Sequence, residues 1–456
     1  MRREPPNLDL SELERAVKKR HSNESDVIPG WEKTYTCELV TPMFGGGVEA
    51  GKIDEKMPIR ASSIRGHLRF WWRIVSGLTD EKEMFKQECD IWGGIGLGDG
   101  NDKNSPKTKA SKVDVRVSSV GDLKTSPSFI TKLKQGNSKK PVTVAGDYKN
   151  AYALFPGQKD KNEKEHKKIA DHGLTFHLTI RFSHQLSATQ VDQIKEAIRW
   201  WASFGGIGAR TRRGLGAVWI KHADISPVES GEVKNKGALL IHVDPDVLKY
   251  DKNGEALLAW SYGIDLLQEF RQGIGVGRIG KVFCKKGKTE TIIGRSLWPE
   301  AESVRNLTGC SDPKYTPTDK DRNLFPRAAF GLPINFQFRG APKRKDQASK
   351  QKDPVKPELL PANDFKRMAS PLILRPYRID EKWHSAALLL PGWEKALTEE
   401  LCLHPSPKGK SPNLWPTDDQ QKKDAAKEIF PMNYDGSPLA DDPLSAFLKY
   451  FEQRDS

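Results

Sequence analysis

Between residues 31 and 220 the apolar spacing switches repeatedly between a period of two and a period of three to four. That order constrains the fold more than any other feature. Residues 34–40 alternate as a strand and stop at Pro42 and the triple glycine Gly45-Gly46-Gly47. Residues 60–75 then place Ile64, Leu68, Trp71, Trp72 and Val75 on one helix face. Short strands fit residues 113–117 and 142–145, and alternation returns over 174–182 with Leu174, Phe176, Leu178 and Ile180. A second helix carries Val191, Ile194, Ile198 and Trp201 and ends at Gly205-Gly206. A last short strand covers residues 217–220. Strand, helix, strand, strand, helix, glycine loop, strand is a split βαβ plan. The expected fold is α+β, with a ferredoxin-like sheet of the kind seen in RNA-recognition domains.

At 456 residues the chain exceeds one ordinary core, so two domains with insertions are expected. An N-terminal arm spans residues 1–30, with one short helix at about 9–19. The first domain covers 31–230 and includes a polar insertion at about 98–173. Lysine-rich runs such as residues 159–164 read there as solvated or mobile. The second domain covers 231–400. It has a strand at 239–243 and a helix at 257–270 with Leu257, Trp260, Ile264 and Leu267 on one face. Strands are expected at 329–338, 372–378 and 386–390, a β-α-β-β order with a final strand after it. The basic stretch 340–357 reads as an insertion, and the turn-rich segment 401–456 ends in a helix near 443–452.

The hydrophobic fraction of 36% is low and mean hydropathy is -0.64, yet 12 Trp and 18 Phe require real cores. A formal charge of +14 points to a polyanionic partner. Five scattered cysteines without a Cys-x-x-Cys argue against a disulfide framework or a zinc ribbon. No apolar run is long enough to span a bilayer, and a cytoplasmic location is expected.

Cations concentrate at two places. Arg65, Arg69 and Arg73 stand four residues apart on the 60–75 helix, and no carboxylate occurs between Lys56 and Thr79. Such a stripe lacks local partners and suits an external anion. The second place is the loop Gly205–Gly216, which holds Arg210, Arg212 and Arg213. Its glycines permit positive φ and open backbone amides, and its guanidiniums supply forked donors suited to phosphate. No Gly-Lys-Ser/Thr end opens a helix after it, so it is not a Walker loop. Two further clusters, residues 93–98 and 273–280, are weaker. The latter contains Gly275, Gly277 and Gly280 in a dinucleotide-like spacing, but it follows a helix instead of opening one.

For catalysis the sequence is thin. Ten histidines show no metal-ligand spacing, so no metal or cofactor is expected. His67 is the one weak candidate for a general base, and Cys402-x-His404 is a poor metal site.

With these residues in view, the chain resembles the RAMP superfamily of CRISPR-associated proteins, and within it the first RAMP subunit of type III-B (Cmr) effector complexes. The resemblance rests on residues 40–46 and 59–73, the 205–216 loop, and residues 325–333 and 369–374. It implies tandem ferredoxin-like domains in an RNA-guided antiviral ribonucleoprotein. Within that assembly it implies a place near the 3′ end of the guide, with cleavage done by other subunits. The implied partners are CRISPR RNA, target RNA and the other Cmr subunits, without a membrane or small-molecule substrate. Carried over to this chain, the RNA-contacting candidates are Arg60, Ser62, Arg65, Arg69, Arg73, Arg210, Arg212 and Arg213, with Gly206, Gly208, Gly214 and Gly216 as loop backbone. Two other readings are a metal-independent CRISPR RNA-processing endoribonuclease of the same superfamily, and a protein scaffold that touches no RNA.

Overall fold

The computed structural model describes residues 32–95, 108–133, 141–159, 163–183, 186–244, 255–285, 288–310, 323–338, 353–405 and 411–453. The arm at 1–30, residues 96–98 of one glycine cluster, residues 160–162 and most of the 340–357 stretch lie outside them. The fold is α+β, with several small antiparallel sheets.

In the first half, β1 (Glu32–Leu39), β2 (Val113–Ser118), β3 (Thr175–Phe182) and β4 (Val218–Lys221) form one antiparallel sheet in the order β4-β1-β3-β2. Helices α1 (Ala61–Val75) and α3 (Ala188–Phe204) follow β1 and β3 and pack against each other, so this is the ferredoxin-like arrangement. The strand at 113–118 is therefore part of the main sheet, inside the segment read as an insertion. Alternation places Tyr35, Cys37, Leu39, Phe176, Leu178 and Ile180 in one core with Trp71, Trp72, Trp200 and Trp201. Truncating one such buried tryptophan would cost about 3–5 kcal/mol. Ser187 and Gln190 close a capping box at the start of α3.

A helix absent from the sequence reading, α2 (Glu81–Trp92), follows α1 and packs against it. Its N-cap, Asp80, accepts a hydrogen bond from the Glu83 amide.

The second half holds β5 (Leu239–Val243), α4 (Glu255–Gln272), β6 (Leu372–Ile379), β7 (Lys382–Leu389) and α5 (Pro443–Gln453). The three strands are antiparallel in the order β5-β7-β6. Residues 329–338 do not join this sheet, contrary to expectation. Pro326–Phe330 is a 3-10 turn, Ile334–Asn335 pairs with Glu358–Pro361 in a separate three-stranded sheet, and Leu332 makes an isolated bridge to Met368. Prolines at 326 and 333 remove amide donors, so the apolar run there is buried without a ladder.

Strands β6 and β7 are buried on both faces. Leu372, Leu374, Ala387 and Leu389 face the core containing α4, whereas Ile373, Tyr377, Ala386 and Leu388 face the core of the first half. Two buried faces explain a continuous apolar run in place of alternation. The second sheet is thus the wall that joins the two halves. Part of the 98–173 segment is also folded in: Phe129, Ala153, Leu154 and Ile169 are buried in the same cluster as Trp260 and Leu267. Those apolar positions, sparse among lysines and serines, anchor that stretch to the second half's core. No helix among the described residues is long and apolar enough to cross a membrane.

Candidate nucleic-acid interface

The glycine loop is tied into the fold from several sides. The Ile207 amide donates to Gly216 O (2.9 Å), the Ala209 amide to Phe44 O (2.7 Å) and the Gly216 amide to Pro42 O (2.8 Å). Buried Thr41 donates from Oγ1 to Gly214 O (2.6 Å) and accepts from the Ala217 amide (2.9 Å). Trp260 Nε1 donates to Arg213 O (2.8 Å). A side chain at Gly216 would place its Cβ 1.9 Å from Ile207 O, at a φ of +66°. At Gly214 it would lie 2.5 Å from Trp260. These glycines serve close packing as much as amide display, and the amides of residues 207, 209, 213, 214, 216 and 217 already have protein acceptors. Gly206 is likewise internal, bridging to Ala217, and its carbonyl accepts from Trp201 Nε1.

The three loop arginines separate by role. Arg212 donates to Ser370 O and lies over the Phe70 ring at 5.6 Å. Arg213 donates to Leu372 O (3.1 Å), Phe330 O (3.3 Å) and Ser370 Oγ (3.4 Å). Both therefore join the loop to the second half. Burial, then the charges of Arg271 and other arginines, pushes the Arg213 guanidinium down to about 9. Arg212 and Arg213, expected from the sequence to contact RNA, have donors that reach carbonyls more than 100 residues away in sequence.

Arg210 differs. It is exposed, takes a φ of +60°, and its guanidinium has no hydrogen-bond or ion-pair partner among the described residues. A non-glycine residue held in the left-handed region costs on the order of 1 kcal/mol. The loop therefore holds one outward cation in a strained but fixed position.

The helix stripe also resolves into two kinds of arginine. Arg69 Nε (2.6 Å) and Arg73 Nε and Nη2 (2.5 and 2.7 Å) donate to the buried carboxylate of Glu88 on α2. Burial alone would raise the Glu88 pKa, but the two guanidiniums outweigh it and hold it below the ordinary range. Arg65 donates to Trp92 O at the end of α2. The expectation that this stripe lacks a partner is corrected: its carboxylate comes from the next helix. Arg60 is the exception within the segment. It sits at the N-cap of α1, donates to Gly47 O at 3.2 Å, and has a shielded Nε without an acceptor. Ser62 is exposed on the first turn of α1.

One face therefore brings together Arg60, the Gly45–Gly47 loop, Gly208 and Arg210. A Cβ on Gly46 would stand 3.6 Å from Gly208 Cα. Exposed Lys56 and half-buried Lys167, which borders Gly51, extend the same positive surface. Mixed backbone and guanidinium donors suit a phosphate backbone, and the carboxylates in the adjoining loop are engaged, Glu49 with Lys52, Glu55 with Lys168 and Asp54 with the Lys56 and Met57 amides. Sequence reasoning missed buried Arg375, whose pKa is lowered by burial to about 9. It donates to Gly205 O (2.5 Å), Pro376 O (2.9 Å) and Val218 O (3.2 Å). An arginine directly after the apolar run Leu372-Ile373-Leu374 was the signal for it.

His67 is half-buried, and burial holds its pKa below the ordinary value. No partner orients its ring among the described residues. Cys402 Sγ lies 3.6 Å from His404 Nε2, but no group of three metal-capable side chains occurs among the described residues. The 273–280 cluster is a tight turn after α4, in which the Gly277 and Arg278 amides donate to Gly273 O.

Comparison with known proteins gives one family and several structures. Residues 36–219 match the RAMP superfamily. No curated protein matches the chain. Cmr1 from Pyrococcus furiosus is similar at 17% identity and a TM-score of 0.32, over 79% of this chain and 87% of that one. A chain of a type III-B Cmr-beta structure bound to cognate target RNA is similar at 12% identity and a TM-score of 0.37, over 78% and 94%. Cmr6 from Pyrococcus furiosus gives 10% identity and a TM-score of 0.23, over 42% and 98%. The segment at residues 36–219, which spans α1–α3, the glycine loop and most of the four-stranded sheet, matches the RAMP superfamily.

Proposed function

We propose that the chain is a non-catalytic RNA-binding subunit of a type III-B (Cmr-type) CRISPR effector complex, serving antiviral defence near the 3′ end of the guide. RNA backbone lies across the face formed by Gly45–Gly47, Arg60, Ser62, Gly208 and Arg210. The observation that carries this reading is Arg210, an exposed guanidinium without an internal partner on an otherwise internally bonded loop. The formal charge of +14 and the superfamily match over residues 36–219 support it, as do the sequence segments 59–73 and 325–333.

The test is the salt dependence of single-stranded RNA binding by the full chain. Each phosphate contact removed lowers the slope of log affinity against log salt by about 0.7. Arg60→Ala with Arg210→Ala should lower both affinity and slope. An unchanged slope would refute this face as the RNA path.

The alternative, a metal-independent RNA-processing nuclease, would use His67. Its ring has no orienting partner among the described residues, which disfavours that role. Cleavage of CRISPR repeat RNA in EDTA, lost in His67→Ala, would support the nuclease reading.

A further inference from the structure

The cations beneath the glycine loop form a second group that the face above does not use. Tyr152, on the short helix Ala151–Leu154, accepts a hydrogen bond at 2.8 Å from Arg271 Nη1 at the end of α4. Having accepted, its hydroxyl keeps its own hydrogen to donate, and no acceptor for it occurs among the described residues. The Arg271 guanidinium lies 4.5 Å over the Phe330 ring, and its shielded Nε also lacks an acceptor there. Phe330 receives a second arginine at its carbonyl, which accepts from Arg213 Nη2 at 3.3 Å. Arg327, three residues earlier, is held by the buried carboxylate of Glu300 at 3.0 Å.

Arg271 and Arg213 thus meet at Phe330, Arg271 also holds Tyr152, and the one carboxylate beside them, Glu300, already belongs to Arg327. Among the described residues none pairs a carboxylate with Arg210, Arg213 or Arg271. Burial alone would raise the Tyr152 pKa, yet Arg271, Arg213 and Arg327 together hold it below its ordinary value. Like charges gathered in a low-dielectric junction repel, and an anion would relieve that repulsion.

We propose that Tyr152 O–H and Arg271 form a binding site for one phosphate group, at the junction of the 98–173 segment and the second half. The donors come from two separate stretches of chain, so the site exists only when these are docked. An internucleotide phosphate of RNA and free phosphate share this chemistry. Assignment to RNA rests on the function proposed above, but the phosphate site itself does not.

The experiment uses the full chain and two ligands. Thermal unfolding in sodium phosphate is compared with sodium chloride at matched ionic strength, and single-stranded RNA affinity is measured by fluorescence anisotropy. The variants are Tyr152→Phe, which deletes only the hydroxyl, and Arg271→Gln. In wild type, phosphate should raise Tm beyond chloride, and each variant should lose most of that excess. If the ligand is RNA, Tyr152→Phe should also weaken RNA binding by about fivefold. Loss of the phosphate effect with unchanged RNA affinity would assign the site to free phosphate. A phosphate effect in a protein that binds no RNA would overturn the proposed function and leave the site standing. Equal Tm in phosphate and chloride for wild type, with Tyr152→Phe binding RNA normally, would overturn the site. Should Arg271→Gln not fold, Tyr152→Phe still decides the matter.

Discussion

Arg375 donates a hydrogen bond to Gly205 O at 2.5 Å, joining strand β6 to the end of helix α3 across 170 residues of sequence. Arg212 and Arg213 make the return connection, from the glycine loop to the carbonyls of Ser370 and Leu372. A cation at a helix C-terminus opposes the negative end of the helix dipole, and here it is buried with carbonyls as its acceptors. The loop is therefore held between two exchanged sets of arginines, and its outward chemistry falls to Arg210.

Arg375→Met should destabilise the chain by about 3 kcal/mol, because Gly205 O and Val218 O lose their buried donor. Urea denaturation of the isolated chain measures this. A loss near zero would mean the two halves dock without this arginine.

Arg210→Ala and Arg213→Ala should behave oppositely. Arg210→Ala should leave stability within about 0.5 kcal/mol of wild type, since the exposed guanidinium has no internal partner and Ala keeps the same Cβ at positive φ. Arg213→Ala should lower stability by about 2 kcal/mol, since Leu372 O and Phe330 O lose a buried donor. Paired melting curves and RNA-binding curves separate the two effects.

Gly216→Ala should be damaging by about 3 kcal/mol. It combines positive φ with a Cβ 1.9 Å from a backbone oxygen. Gly275→Ala has positive φ but nothing within 4 Å, and should cost nearer 1 kcal/mol. Equal losses in chemical denaturation would contradict the packing role of the first loop.

Glu88→Gln should cost about 2 kcal/mol near neutral pH, where a buried carboxylate accepts from two arginines. The folded pKa of Glu88 is depressed below 4.5, so its contribution is complete above that value. It is lost as pH falls through the folded pKa. The difference between wild type and variant should shrink as denaturation is followed into acid, and a pH-independent difference would rule this pairing out as its source.

Much of the first half was legible in the sequence, because its strands have one buried face and its helices a clear apolar stripe. The boundaries at 61–75, 188–204 and 218–221 fall within a residue or two of those the spacing gives for the helix ends and the last strand. The second half was legible for residues 372–389, whereas the apolar run at 329–338 was misread because burial there needs no ladder. The site was less legible for a different reason. Which arginines are free depends on partners far away in the chain: Glu88 lies 15 residues beyond Arg73 on a helix that was not anticipated, and Ser370 lies 158 beyond Arg212. Tyr152 was hidden inside a lysine-rich stretch whose few apolar residues decide that it folds.

The central claim is that RNA backbone crosses the face between Arg60 and Arg210 while Arg212 and Arg213 hold the halves together. Ultraviolet crosslinking of the assembled RNA-bound complex, with adducts mapped by mass spectrometry, tests it most directly. The account requires adducts within residues 45–60 and 208–211, and their loss on Arg60→Ala with Arg210→Ala. Adducts confined to other surfaces of the chain, or none at all, would contradict it.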